Sequence, residues 1–222
     1  MLIELAIGDA YGAGFEFAEP AFVEANNNLT YVDHTANMLL VKSGHYTDDA
    51  QMSLALAEAL IEEEPWTPLV LADKFVECFH RDKRRGYNGG FYKFLLRNKT
   101  GQEFLDNIRP DSERSGAAMR AGVLGMLPDI KMVKEYNEVQ AKLTHNTPAG
   151  ITSSLTAALM VHFLRKKLGS KKDMGRWLAE QVGVTQIANP WSGHVKALGW
   201  HCVHAAITAV AEEDSLSAVL KR

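Results

Sequence analysis

The 222 residues carry 24 Lys and Arg against 27 Asp and Glu, a formal net charge of -3 that offers no global positive field for nucleic acid or an anionic membrane surface. Length alone suits one substantial core and a single domain over residues 1–222. Two cysteines, Cys78 and Cys202, exclude a disulfide framework and any C-x-x-C site, so a reducing cytoplasm is expected, and no apolar run is long enough to span a bilayer.

The chain opens as Met1-Leu2-Ile3-Glu4-Leu5, without the basic and long apolar regions of a secretion signal. The opening helix then runs into Gly8-Asp9-Ala10-Tyr11-Gly12-Ala13-Gly14-Phe15-Glu16. A glycine in a helix interior costs about 0.5–1 kcal/mol against alanine, so three of them point to close approach of another helix or a ligand. A long loop follows, in which Leu29–Val32 and Met38–Val41 form at most a small hairpin. It ends at Gly44-His45-Tyr46-Thr47-Asp48-Asp49-Ala50-Gln51-Met52, the start of a strongly helical segment reaching Ile61.

Helical spacing recurs over Leu69–Phe79, Phe91–Arg97, Ser115–Leu127, Ile130–Leu143, Ala149–Leu168, Met174–Gln181 and Ser192–Val210. Strand-type alternation is nearly absent, and the expected fold is all-α. Two local basic clusters stand out, Arg81-Asp82-Lys83-Arg84-Arg85 and Arg165-Lys166-Lys167 with Lys171-Lys172. The second reads as a solvated helix end. A last helix begins after Asp214, a suitable N-cap, and stops at Arg222 after about two turns with no stop signal, as though cut short.

Thr47, Asp48 and Asp49 bring a hydroxyl and two carboxylates together, a partial shell for magnesium, which takes oxygen ligands and keeps several waters. Neighbouring side chains on a helix diverge by about 100°, which suits Asp48 and Asp49 to two adjacent ions rather than to chelating one. The plainer reading is an N-cap followed by acids that complement the helix macrodipole.

Gly8-Asp9-Ala10 through Glu16, followed by Tyr46-Thr47-Asp48-Asp49-Ala50-Gln51-Met52, resembles the ADP-ribosylglycohydrolase family. Arg85-Gly86-Tyr87 with Gly89-Gly90 resembles its glycine-containing substrate loop, Ser115-Gly116-Ala117-Ala118-Met119-Arg120 a helix start, and Thr144-His145 the turn before a long buried helix. The resemblance implies a compact orthogonal multi-helix fold with two Mg2+ ions at the base of a cleft. It also implies hydrolysis of the glycosidic bond joining ADP-ribose to a protein side chain or related derivative. On it Thr47, Asp48 and Asp49 are metal ligands, Glu16 and Asp48 are catalytic, and Gly86, Tyr87, Gly89, Ser115, Gly116 and His145 line the substrate. Asp9 supports the first helix or the metal shell from behind.

The family's second metal motif, Gly-Asp-x-Asp-Thr, is missing; Glu212, Glu213 and Asp214 lack its spacing and its threonine. The metal shell is therefore expected to be incomplete, and the uncovered apolar face of the Val195–Val210 segment is expected to pair in a homodimer. The alternative function is an inactive relative that serves as an ADP-ribose-binding or structural module.

Overall fold

A computed structural model of the chain describes residues 1–33 and 41–221. Helix α1 (Leu2–Gly12) is followed by the short α2 (Pro20–Asn26), and then by α3 (Asp48–Ile61) and α4 (Pro68–Arg81). Next come α5 (Gly89–Arg97), α6 (Gly101–Asn107) and α7 (Gly116–Ala121), the last continuing as a 3-10 turn over Gly122–Met126. The second half holds α8 (Ile130–Lys142), α9 (Pro148–Lys166), α10 (Met174–Val182), α11 (Gly199–Glu212) and α12 (Leu216–Lys221). Among the described residues the only β pairings are two isolated bridges, Asp111 with His145 and Arg114 with Leu198. The all-α expectation holds.

Local chemistry explains most of the boundaries. Thr67, Asp129 and Thr147 each cap a helix by accepting a backbone N–H with the side chain, and Pro follows Thr67 and Thr147 where its missing N–H costs nothing. Two helices escaped the pattern. Pro20 starts α2 inside what reads as loop, and Thr100 starts α6 by accepting from Glu103 N–H while the Glu103 carboxylate reaches back to Lys99 N–H at 2.6 Å.

Three expectations need correction. The helix read over Ser192–Val210 begins only at Gly199, because Gly193 sits at φ 105°, outside helical space. No strand forms over residues 29–32, and residues 38–40 of the supposed hairpin lie outside the described residues. Of the three opening glycines, Gly14 alone meets a protein neighbour among the described residues: a Cβ there would stand 2.7 Å from the Val32 carbonyl oxygen, whereas nothing described lies within 4 Å of one at Gly8 or Gly12, so helix packing does not account for those two.

Long and largely buried, α9 packs against α7, α8, α10, α11 and the 3-10 turn, while α3 packs against α1, α4 and α7. The apolar interior has two centres. One gathers Leu56, Leu71, Phe75, Phe79, Leu95 and Phe104 from α3 to α6, and the other Leu124, Val133, Leu159, Phe163, Met174 and Leu178 around α9. Trp66 touches both centres, stacking on Tyr136 with centroids 4.7 Å apart and donating its indole N–H to the Tyr136 carbonyl at 2.9 Å.

Arg120 is the second link. Only 1% of it is exposed, and it finds no carboxylate among its hydrogen-bond partners. It donates to Gln140 Oε1 at 2.7 Å, the Gln140 carbonyl at 3.0 Å and Thr144 Oγ1 at 2.8 Å, and its guanidinium lies 4.7 Å from the centroid of the Phe75 ring. Burial lowers its pKa to about 9, so it remains charged at neutral pH. Gln140 passes the network on to Ser154 and Asn137, tying α7, α8 and α9 together. Arg120→Ala should therefore lower the unfolding free energy by roughly 3 kcal/mol, since it strands several buried acceptors at once. Urea denaturation monitored by circular dichroism measures this, and a loss below about 1 kcal/mol would show that the network fastens little.

Candidate active site

Asp9, in the last turn of α1, reaches across to the N-terminus of α3. Its Oδ2 accepts the backbone N–H groups of Thr47 at 2.8 Å and Ala50 at 3.0 Å, and the Thr47 hydroxyl donates to Oδ1 at 2.6 Å. Thr47 also accepts weakly from Asp49 N–H at 3.4 Å, so the Asp9 carboxylate and the Thr47 hydroxyl both serve the helix end. The capping reading is thus correct, with Asp9 as the stronger cap. A chemical consequence follows for Thr47. Its one proton is committed to Asp9, which leaves the hydroxyl oxygen able to act as an acceptor.

Asp48 and Asp49 occupy the first turn of α3, and Glu16 lies in the turn after α1, beyond the helix itself. Burial raises the pKa of Asp48 well above the usual range, and the charges of Asp49, Glu16 and Asp9 push it the same way. Asp49 is raised by burial and then by Asp9 and Glu16. Glu16 is pushed up to about 7 by the loss of solvation around its carboxyl and by the Asp9 charge. The residue keeps solvent access, so the shift describes a proton poised near neutrality and is no measure of stability. The four acids thus sense one another, and each opposes the ionisation of its neighbours.

This donor set is all oxygen, the chemistry a hard cation that retains water would need, and Thr47, Asp48 and Asp49 are the residues that could supply it. Among the described residues, no group of three or more His, Cys, Asp or Glu side chains is arranged to hold a metal ion. The acids therefore form a partial shell rather than a closed cage. Cys202 of α11 lies near enough to feel the charges of Asp49 and Glu16, with burial the larger cause of its raised pKa. No motif in the sequence pointed to its being there.

Gly86 closes on the same helix end. At φ 106° it occupies backbone space favourable to glycine, and a Cβ there would stand 2.2 Å from Asp48 Oδ1 and 2.6 Å from Thr47 Cβ. Tyr87 turns the other way. It is buried beneath the site, its hydroxyl donating to Gln51 Oε1 at 2.8 Å and its ring edge-on to Phe79. Gly89 heads α5 in open space.

Ser115, Gly116 and His145 form a second grouping. Ser115 precedes the six-residue α7 without a side-chain cap, and a Cβ on Gly116 would stand 2.9 Å from His145 Cε1. Thr144 Oγ1 accepts from Arg120 and lies 2.6 Å from His145 Nδ1, so its own proton is left for that nitrogen. The ring proton then sits on Nε2, which is buried with no hydrogen-bond partner. The Arg114 carbonyl favours charge on the ring without accepting a hydrogen bond of good geometry. Burial and the Arg120 charge dominate, and the imidazole is held neutral with its pKa lowered to about 3.

The family model of the ADP-ribosylglycohydrolases matches residues 1–220. The chain belongs to the ADP-ribosylglycohydrolase family. Relatives include ADP-ribosylhydrolase ARH3 of Homo sapiens, 28% identical over 189 residues that cover 74% of this chain and 51% of that protein. The ADP-ribosyl-(dinitrogen reductase) glycohydrolase of Rhodospirillum rubrum is 27% identical over 172 residues, covering 75% of this chain and 57% of that protein. A solved ADP-ribosylglycohydrolase-related protein complex shares the fold with a TM-score of 0.68 at 18% identity, over 99% of this chain and 77% of that one. The chain spans about half the length of the curated relatives it matches.

Three of these positions make measurable claims. Gly86→Ala should cost about 2 kcal/mol or more of stability through its positive φ and the Asp48 contact, whereas Gly89→Ala should be close to neutral. Denaturant midpoints of the two variants decide this, and equal midpoints would refute it. His145 has its folded pKa depressed from 6.5 to about 3, so the unfolded chain binds a proton there that the folded chain refuses. Its contribution lowers stability as pH falls from about 6.5 towards about 3, at up to about 1.4 kcal/mol per pH unit. His145→Gln should flatten that acid limb in urea titrations at successive pH values.

Proposed function

We propose that the chain contributes a magnesium-dependent hydrolase site that cleaves the glycosidic bond between ADP-ribose and a modified protein side chain or related derivative. The observation that carries this reading is the joining of Thr47, Asp48, Asp49 and Glu16 at one helix end, held there by Asp9, in a chain of this family. Thr47, Asp48 and Asp49 would hold magnesium, which supplies a positive centre for orienting ribose hydroxyls and acidifying water. Glu16 is the proton carrier, taking a proton from water and returning one to the leaving side chain; without a cation beside it, burial and the Asp9 charge push its pKa up to about 7. Asp48 orients the reacting groups, with its carboxylate lying against Gly86. Gly116 and His145 belong to the substrate-facing wall in this reading, and Cys78 and Cys202, both free thiols, accord with a reducing cytoplasm.

A second reading is favoured by one observation, the lack of a three-ligand metal group among the described residues. In it the chain binds an ADP-ribose derivative or serves a structural role, without hydrolysis. The two are separated by following ADP-ribose release from an ADP-ribosylated protein with magnesium and with a chelator. Magnesium-dependent release that falls about a hundredfold or more in Glu16→Gln, and is lost in Asp48→Asn, supports the hydrolase. No release from folded protein supports the binding module.

A further inference from the structure

The basic run Arg81–Arg85 has no part in the acidic chemistry, yet it is built against it. Arg84 lies over the Tyr46 ring, its Cζ 3.9 Å from the centroid, and contacts Asp82 Oδ2 through Nε and Nη2, both at 2.6 Å. The Tyr46 hydroxyl donates to the same oxygen at 3.0 Å. These three side chains form one wall of a pocket of about 540 Å3, which Lys42, His45, Lys83 and Arg85 help to line.

Asp82 offsets Arg84. Among the described residues, the side chains of Lys42 and Lys83 make no ion pair or hydrogen bond, and Arg85 makes only a ring contact with Tyr92. The pocket is therefore an uncompensated cluster of cations on a chain of net charge -3. It opens beside the acids, since Tyr46 precedes Thr47 and Arg85 precedes Gly86, the residue pressed against Asp48. The same two backbone segments carry the basic pocket and the acidic site.

We propose that this pocket docks acidic side chains of the polypeptide that bears the ADP-ribosyl group, a substrate preference that rests on the hydrolase reading. Lys42, Lys83 and Arg85 are exposed, so each contact is weak and screened, which suits several dispersed carboxylates rather than one tightly enclosed anion. Continuous phosphate polymers fit less well. A uniformly charged backbone leaving the pocket towards the catalytic groups would meet Asp9, Glu16, Asp48 and Asp49, whereas a peptide can place carboxylates in the pocket and neutral residues over the acids. Such complementarity acts on encounter rate and on partner choice.

The test measures fluorescence anisotropy of a labelled oligoglutamate peptide, with an oligoglutamine peptide as control, for the native chain and for the Lys42→Glu, Lys83→Glu double variant. Among the described residues neither lysine side chain makes a hydrogen bond or ion pair, and the urea midpoint confirms that the variant is folded. Binding of oligoglutamate alone, weakened about tenfold or more by added salt and by the double variant, is the expected result. Tighter binding of a single-stranded oligonucleotide, displacement by equimolar inorganic pyrophosphate, or no binding at all would overturn the proposal. On an ADP-ribosylated acidic peptide the double variant should raise KM about tenfold and leave cleavage of the corresponding ADP-ribosylated free amino acid unchanged; equal losses on both would also overturn it. Native protein that binds oligoglutamate but cleaves neither substrate would refute the hydrolase reading and leave the docking pocket standing.

Discussion

The burial of Arg120, with no carboxylate among its described hydrogen-bond partners, is the constraint around which the interior is arranged. A guanidinium removed from water must have its donors met, and here amide, carbonyl and hydroxyl oxygens of α8 and of the turn before α9 meet them. Those groups stay in place only if α7, α8 and α9 keep their mutual positions, so one charged side chain fixes three helices. The same charge reaches further. Through Thr144 it orients His145, whose imidazole is kept neutral by burial and then by the Arg120 charge, so the Thr144-His145 turn presents a fixed ring to Gly116.

A comparable economy governs the acidic end. The N-terminus of α3 needs acceptors for its free N–H groups, and Asp9 supplies two of them while taking the Thr47 proton. Helix capping and site construction are thus one set of bonds. The cost is electrostatic, because the same macrodipole and the same tight packing gather four carboxyls whose charges oppose one another. On the proposed reading a divalent cation answers this repulsion, and the basic pocket on the same two backbone segments receives acidic side chains of the substrate polypeptide.

Helices whose ends carry caps and whose faces alternate every three to four residues were legible from residue order alone, as α4, α8 and α9 demonstrate. Interactions between residues near in sequence decide them. Glu16, Thr47, Asp48 and Asp49 were singled out through their resemblance to the family's motifs, because a helix start with adjacent acids is by itself an ordinary capping pattern. Helices α2 and α6 were not, because seven residues carry too little periodicity, although Thr100 and Glu103 held the capping signal for the second. The helix start at Gly199 was missed because apolar spacing continues through residues whose backbone Gly193 turns out of register.

Residue order by itself determined an all-α chain of the ADP-ribosylglycohydrolase family with adjacent acids at one helix start. Only the tertiary structure decided that Asp9 holds that start, that Tyr87 faces the core, that Cys202 borders the acids and that residues 42–46 meet 82–85 in a basic pocket. Each of these depends on groups brought together across tens of residues. Their energies come from burial and charge at short range, which composition and periodicity do not encode.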